Sequence, residues 1–214
     1  MQSHNPYSIV TEFEERIAEW CGSKYAVAVE SCSAAIFLSL MWQKNRGFWL
    51  PNVAVSIPCL TYPSVPASII HSGLKINFNN YIWEGEYELF PTGVFDAALR
   101  FKKGMYHGGL QCLSFHIKKH LKVGRGGMIL TDSGDAHEWL KLARFDGRQP
   151  IPLSEQKEFN VLGFNMYMEP SQAARGIQLF EVLRQKHPNG MDDLSVEEQG
   201  YTDLSKFKIF TNAT

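Results

Sequence analysis

Residues 25–44 read YAVAVESCSAAIFLSLMWQK. Two periodicities meet inside this stretch. Residues 25–29, YAVAV, are a short apolar run rich in valine, the pattern of a strand buried on both faces. Residues 33–44, SAAIFLSLMWQK, carry the apolar content of a helix, and Asn45 and Gly47 close it. A buried strand that feeds a helix through a short polar turn is the opening of an α/β unit.

The flanks repeat the alternation. Upstream, Ile9, Phe13, Ile17 and Trp20 stand at helical spacing until Gly22 stops the pattern. Downstream, VAVSI at 53–57 reads as a strand and SVPASIIH at 64–71 as a short helix ended by Gly73. LKINF at 74–78 is extended after it. Residues 79–93 are irregular and aromatic. Short apolar runs follow at 93–95, 110–115 and 128–131, then helices at 135–145 and 170–186. The expected fold class is α/β, a largely parallel sheet flanked by helices, over residues 1–187. Residues 188–214 show little periodicity and are expected to form a C-terminal tail or arm.

The 214 residues fit one domain, or one with an appendage. Hydrophobic residues at 44% and charged residues at 20% are ordinary for a chain with a packed core. A net charge of −1 sets up no global field for nucleic acid or an anionic membrane. Locally, Lys118, Lys119, Lys122 and Arg125 form a basic cluster, compatible with a polymeric substrate. Cys21, Cys32, Cys59 and Cys112 form no C-x-x-C pair, so neither a zinc site nor a disulfide framework is expected. A reduced cytoplasm is the simplest compartment. No apolar run approaches the roughly 20 residues that span a bilayer. The segment MQSHNPYSIV lacks the order of a signal peptide.

Several residues sit where chemistry is usual, each with a plainer alternative. Ser31-Cys32-Ser33 opens a helix after a strand, where free N–H groups favour an anion; a helix cap is the commoner explanation. Asp96 in VFDAA follows a strand, where open α/β sheets bind ligands, or else caps a helix. Tyr62 offers a flat face for a ring, or simple packing. Residues 114–127, SFHIKKHLKVGRGG, contain a lysine pair that reads either as a hydrated turn or as a covalent site. The glycines precede the apolar run MILT, so they look like a turn feeding a strand rather than a phosphate loop. His116 and His120 are spaced for one helical face, but no intervening carboxylate supports a metal site. An anion cradle, an aromatic, an acid after a strand, then a serine and lysine are together what pyridoxal phosphate needs.

In that order the segments resemble the DegT/DnrJ/EryC1/StrS sugar aminotransferases. FEERIAEWCGSKYAVAVESCSAAIFLSL, VSIPCLTYPSVPASIIHSG, VFDAA, LSFHIKKHLKVGRGGMILTD and LGFNMYMEPSQAARGIQL are similar to that family's consecutive motifs. The resemblance implies a reduced form of the type I aminotransferase large domain, with pyridoxal 5'-phosphate as cofactor. It makes Lys119 the Schiff-base lysine, with Lys118 left in water if the turn is extended. It puts Cys32, Ser33 and Ser114 on the phosphate, Tyr62 on the ring and Asp96 on the pyridine nitrogen. Asn165 is implied to reach the phosphate of a neighbouring subunit, hence a homodimer with shared sites. The implied reaction moves an amino group from an amino acid, by analogy glutamate, to a keto or aldehyde acceptor, such as one on a nucleotide-linked sugar. A different pyridoxal-phosphate reaction (decarboxylase or lyase), or a non-catalytic cofactor-binding protein, are the other readings.

The departures from the family pattern are specific. Leu99 stands where the family commonly has Gln or His near the cofactor's ring oxygen, and it cannot hydrogen-bond. Tyr167 replaces an arginine, and Arg125 replaces an acid. The segments before the FEE helix, between about 79 and 94, and after about 190 are expected to be shorter than usual, without the C-terminal small domain.

Overall fold

A computed structural model describes residues 5–48 and 54–211. The elements run α1 (Ser8–Cys21), β1 (Tyr25–Val29), α2 (Cys32–Asn45), β2 (Ala54–Pro58), α3 (Ser64–His71), β3 (Lys75–Asn79), β4 (Tyr87–Glu88), β5 (Val94–Asp96), β6 (Leu110–Ser114), β7 (Gly127–Thr131), α4 (Gly134–Ala143), α5 (Pro170–Lys186) and α6 (Lys208–Thr211). Gly22, in the left-handed region at φ 86°, closes α1 by returning its N–H to the Ala18 carbonyl. The Ser31 hydroxyl accepts from Ala34 N at 3.1 Å and starts α2. Val53, the first residue of the expected VAVSI strand, lies outside the described residues.

Five strands form one sheet in the order β1-β7-β6-β5-β4, and β2 pairs with β3 in a second. Reciprocal backbone bonds between Ser56 and Phe90 tie β2 to the edge of the larger sheet. The registers set the directions: β5 is parallel to β6, β2 to β3, and β1 and β6 both run opposite to β7. With the antiparallel bridge from Ser56 to Phe90, the strands β1, β2, β3, β5 and β6 all point one way. The largely parallel expectation holds for these strands. It fails at β4 and β7, which are antiparallel to their neighbours; the five-residue link from β4 to β5 is too short for a crossover, and the link from β6 to β7 carries no helix.

Alternate residues of each central strand face two cores. Val27, Val29, Leu110, Cys112 and Ile129 pack with α2, α3 and α4. Ala26, Ala28, Leu113, Met128 and Leu130 pack with Phe13 and Ile17 of α1 and Phe180 of α5. That double burial is why residues 26–29 of YAVAV are apolar, while Tyr25 is exposed at the strand's start. The region after α5 is irregular but lies against the body: Val196 and Leu204 are 1% and 2% exposed. No helix among the described residues is long and apolar enough to cross a membrane.

Candidate functional site

The strands that share a direction end along one edge of the sheet, the edge at which open α/β sheets bind ligands. There the β1–α2 turn, the β2–α3 turn, the end of β5 and the end of β6 surround a cavity of about 990 Å³. Cys32, Ser33, Tyr62, Asp96, Ser114 and Lys119 all line it. Asn165 does not: it is exposed, and its amide bonds the Asp146 carboxylate at 3.2 Å.

The N-terminus of α2 contributes the amides of its first turn, which have no intrahelical acceptor. Beside them the Ser33 hydroxyl donates to the Ser64 hydroxyl at 2.6 Å, so the first turns of α2 and α3 meet in the cavity wall. Gly127 is what lets β7 approach this turn. A Cβ there would stand 2.5 Å from the Ser31 carbonyl oxygen. The glycines of GRGG therefore serve a hairpin and a close contact, the turn expected from their order.

Asp96 is 3% exposed. Its Oδ1 accepts from Ala98 N at 3.0 Å, and the Tyr87 hydroxyl, 2.6 Å from that of Thr61, acts on it electrostatically. Burial pushes its carboxyl up from the usual range, while Ala98, Tyr87 and the Lys119 amine hold it down. No arginine pairs with it. The Cys32 thiol touches the same carboxylate at 4.0 Å and the Cys112 carbonyl at 3.5 Å, and burial pushes that thiol up.

Lys119 is 8% exposed and Lys118 is exposed. An extended turn does not cause this division. The Lys119 N–H bonds the His116 carbonyl at 2.9 Å, so the segment is a tight turn that carries Lys119 inward. Burial lowers the Lys119 amine from its ordinary value, Asp96 raises it, and Lys118 lowers it again. Its Nζ donates to Gln199 Oε1 at 2.7 Å and Tyr201 Oη at 3.2 Å. Those two residues, with Ser64 and Tyr87, were not apparent from sequence. Gln199 and Tyr201 lie in a stretch without periodicity and meet Lys119 only through the fold.

Tyr62 is 56% exposed beside the cavity, 6.2 Å from the Tyr201 ring. Leu99 is fully buried and faces the core. Arg125 pairs with Glu30 at 2.7 Å, so the positive charge at the family's acid position has an acid opposite it. Tyr167 packs edge-on with Tyr7 at 5.8 Å rather than forming an ion pair. His120 bonds the Asp192 carbonyl at 2.9 Å and His116 is exposed, and no metal-binding cluster occurs among the described residues.

The model of the DegT/DnrJ/EryC1/StrS aminotransferase family matches residues 2–81 and 100–204. The chain belongs to this family. Its members are pyridoxal-phosphate enzymes. The matched spans omit 82–99, so Asp96 rests on its own geometry. The spore coat polysaccharide biosynthesis protein SpsC of Bacillus subtilis is 25% identical over 225 residues, covering 81% of this chain and 57% of that protein. GDP-perosamine synthase of Caulobacter vibrioides is 25% identical over 215 residues, covering 80% and 56%. The chain thus spans little more than half of either relative. In fold, a family aminotransferase from Brucella abortus superposes with a TM-score of 0.69 at 18% identity, over 83% of this chain and 59% of that one. PseC of Helicobacter pylori, an aminotransferase of pseudoaminic acid biosynthesis, gives 0.63 at 16% identity, over 87% and 66%.

Proposed function

We propose that this chain is a pyridoxal-phosphate-dependent aminotransferase that takes an amino group from an amino acid, glutamate by family analogy, and gives it to a keto or aldehyde acceptor on a nucleotide-linked sugar. One observation carries the reading: a buried lysine and a buried carboxylate that forms no ion pair among the described residues face the same cavity, beside the N-terminus of α2. Family membership supports it, and the GDP-perosamine synthase among its relatives supports the class of acceptor.

The residues present fit the cofactor. Ser33, Ser64, Ser114 and the first-turn amides of α2 form a donor set suited to a phosphate. Cys32 contributes its backbone N–H there. Asp96, an acceptor in a dry wall, suits a protonated ring nitrogen. Tyr62 flanks the space a ring would fill. When bound, pyridoxal phosphate supplies an aldehyde carbon for amines and a ring that withdraws electrons. Lys119 supplies the amine, and its lowered proton affinity enlarges the neutral, nucleophilic fraction. When not joined to the cofactor, the same amine would serve as general base.

The exposed side chains Leu153, Phe159 and Leu162, at 66%, 59% and 94%, lie on the chain segment that leads to Asn165. They support a homodimer in which Asn165 serves the neighbour's phosphate site. Leu162→Glu is expected to shift the protein from dimer to monomer in sedimentation, and a wild-type monomer at micromolar concentration would defeat this part.

The function is tested by adding glutamate to the purified protein loaded with cofactor. A shift in its visible absorption and the appearance of 2-oxoglutarate are expected. Release of carbon dioxide or ammonia without amino transfer would assign a lyase or decarboxylase instead. Borohydride reduction should fix the cofactor mass on the Lys119 peptide and on no peptide of Lys119→Ala.

A further inference from the structure

We propose that Gln199 and Tyr201 are positioning residues for the Lys119 amine, carried to it by a strap spanning residues 193–204. The inference rests on Lys119 being the cofactor lysine.

The strap is anchored on both sides of the cavity. At one end Asp193 pairs with Arg100 at 2.8 Å and Lys102 at 3.1 Å. Next to it Leu194 N donates to the Leu99 carbonyl at 2.9 Å, and Gly85 N donates to the Leu194 carbonyl at 3.1 Å. At the other end Leu204 N donates to the Cys59 carbonyl at 2.9 Å. Between them Val196 is buried, Ser195 and Glu198 cap each other at 3.1 and 3.2 Å, and the Tyr201 ring packs 6.4 Å from that of Trp83. Gln199 and Tyr201 are therefore carried on a segment anchored at both ends.

What they hold is the reacting atom. The amine of a lysine has three donor directions when protonated. Gln199 Oε1 at 2.7 Å and Tyr201 Oη at 3.2 Å take up two of them, and the Tyr201 ring centroid lies 5.7 Å away. The four-carbon stem is thereby fixed with its remaining direction free for the cavity. Both partners are neutral. They orient Nζ without the added proton affinity that a carboxylate in the same place would bring. A site that needs a nucleophilic amine is served by this choice.

The cofactor-free chain gives the test. Trace acetylation with acetic anhydride across pH, read by mass spectrometry on the Lys119 peptide with Lys118 as internal reference, reports the proton affinity and access of each amine. Gln199→Glu is expected to raise the Lys119 midpoint by about one pH unit and to leave Lys118 in place. Tyr201→Phe, which keeps the ring and removes the hydroxyl, is expected to speed Lys119 labelling severalfold at fixed pH. If both variants keep the wild-type melting temperature and Lys119 labels as in the wild type, the assignment is overturned. Should Gln199→Glu not fold, the Tyr201→Phe rate decides alone. Trapping of pyridoxal phosphate on Lys119 by borohydride separates the two readings. Trapping with unmoved labelling removes the positioning role only; moved labelling without trapping removes the cofactor role only.

Discussion

A lysine withdrawn from water holds its proton less tightly, because the charged form loses its hydration. Lys119 is in that position, with Asp96 opposing the effect and Lys118 adding to it. The two neighbours therefore predict shifts of opposite sign. In a pH series of cofactor attachment, Lys118→Ala should raise the midpoint and Asp96→Asn should lower it, each by a few tenths of a unit to about one. Midpoints that move together would deny that these charges act on the amine. Asp96→Ala should also weaken cofactor binding by roughly 10- to 100-fold, the worth of a hydrogen bond to a charged group. A fluorescence titration with pyridoxal phosphate measures it. Asp96 and the Ser31–Ser33 turn could be picked out because one ends a strand and the other opens a helix just after one, places sequence pattern identifies, whereas Ser114 was singled out only through the family resemblance. Gln199 and Tyr201 were not, because their contacts with Lys119 cross 80 and 82 positions of chain that show no period.

Among the elements, β7 lies directly behind the turn that opens α2 at the cavity. It returns antiparallel from β6, and its first residue lies against the Ser31–Cys32 peptide at the mouth of α2. Gly127→Ala forces a Cβ to within 2.4 Å of backbone carbon there, a clash with no flexible side chain to absorb it. The expected cost is about 1–3 kcal/mol in urea unfolding, together with weaker cofactor binding, since the α2 amides must move. Unchanged stability and affinity would mean that β7 yields instead. The hairpin could be read from the order of glycines and apolar run. So could β1, whose residues 26–29 are apolar because both faces are covered. The direction of β4 could not, since two residues carry no period at all. The strap gave no signal either: it is built from caps, ion pairs and single backbone bonds rather than a repeating face.

At the scale of the whole molecule, the sheet separates two cores, and one buried acid ties α1, on one of them, to β1 and to α4, which packs on the other. Glu14, 4% exposed, accepts from Ala28 N at 2.8 Å in β1, pairs with Lys141 at 2.9 Å, and pairs with Arg144 just past the end of α4. In the sequence it is one acid in the polar run FEERIAEW, and nothing local marks it as buried. Burial alone would raise its carboxyl, but Arg144, Lys141 and the Ala28 amide outweigh burial and hold it below the ordinary value. A group with a depressed folded value binds its proton more readily in the unfolded chain. Its contribution is therefore complete above the unfolded value, about 4.3 for glutamate, and is lost as pH falls through the folded one. Glu14→Gln removes that dependence and leaves Arg144 buried without its counter-charge, at a cost of about 3–5 kcal/mol near neutral pH. Urea unfolding at about pH 7 and about pH 3 separates the two effects. The wild type should lose more stability across that interval than the variant, so their curves converge in acid. Parallel losses would assign acid sensitivity to other carboxylates, with the Asp193 pairs to Arg100 and Lys102 next in line because those cations likewise hold that carboxyl low.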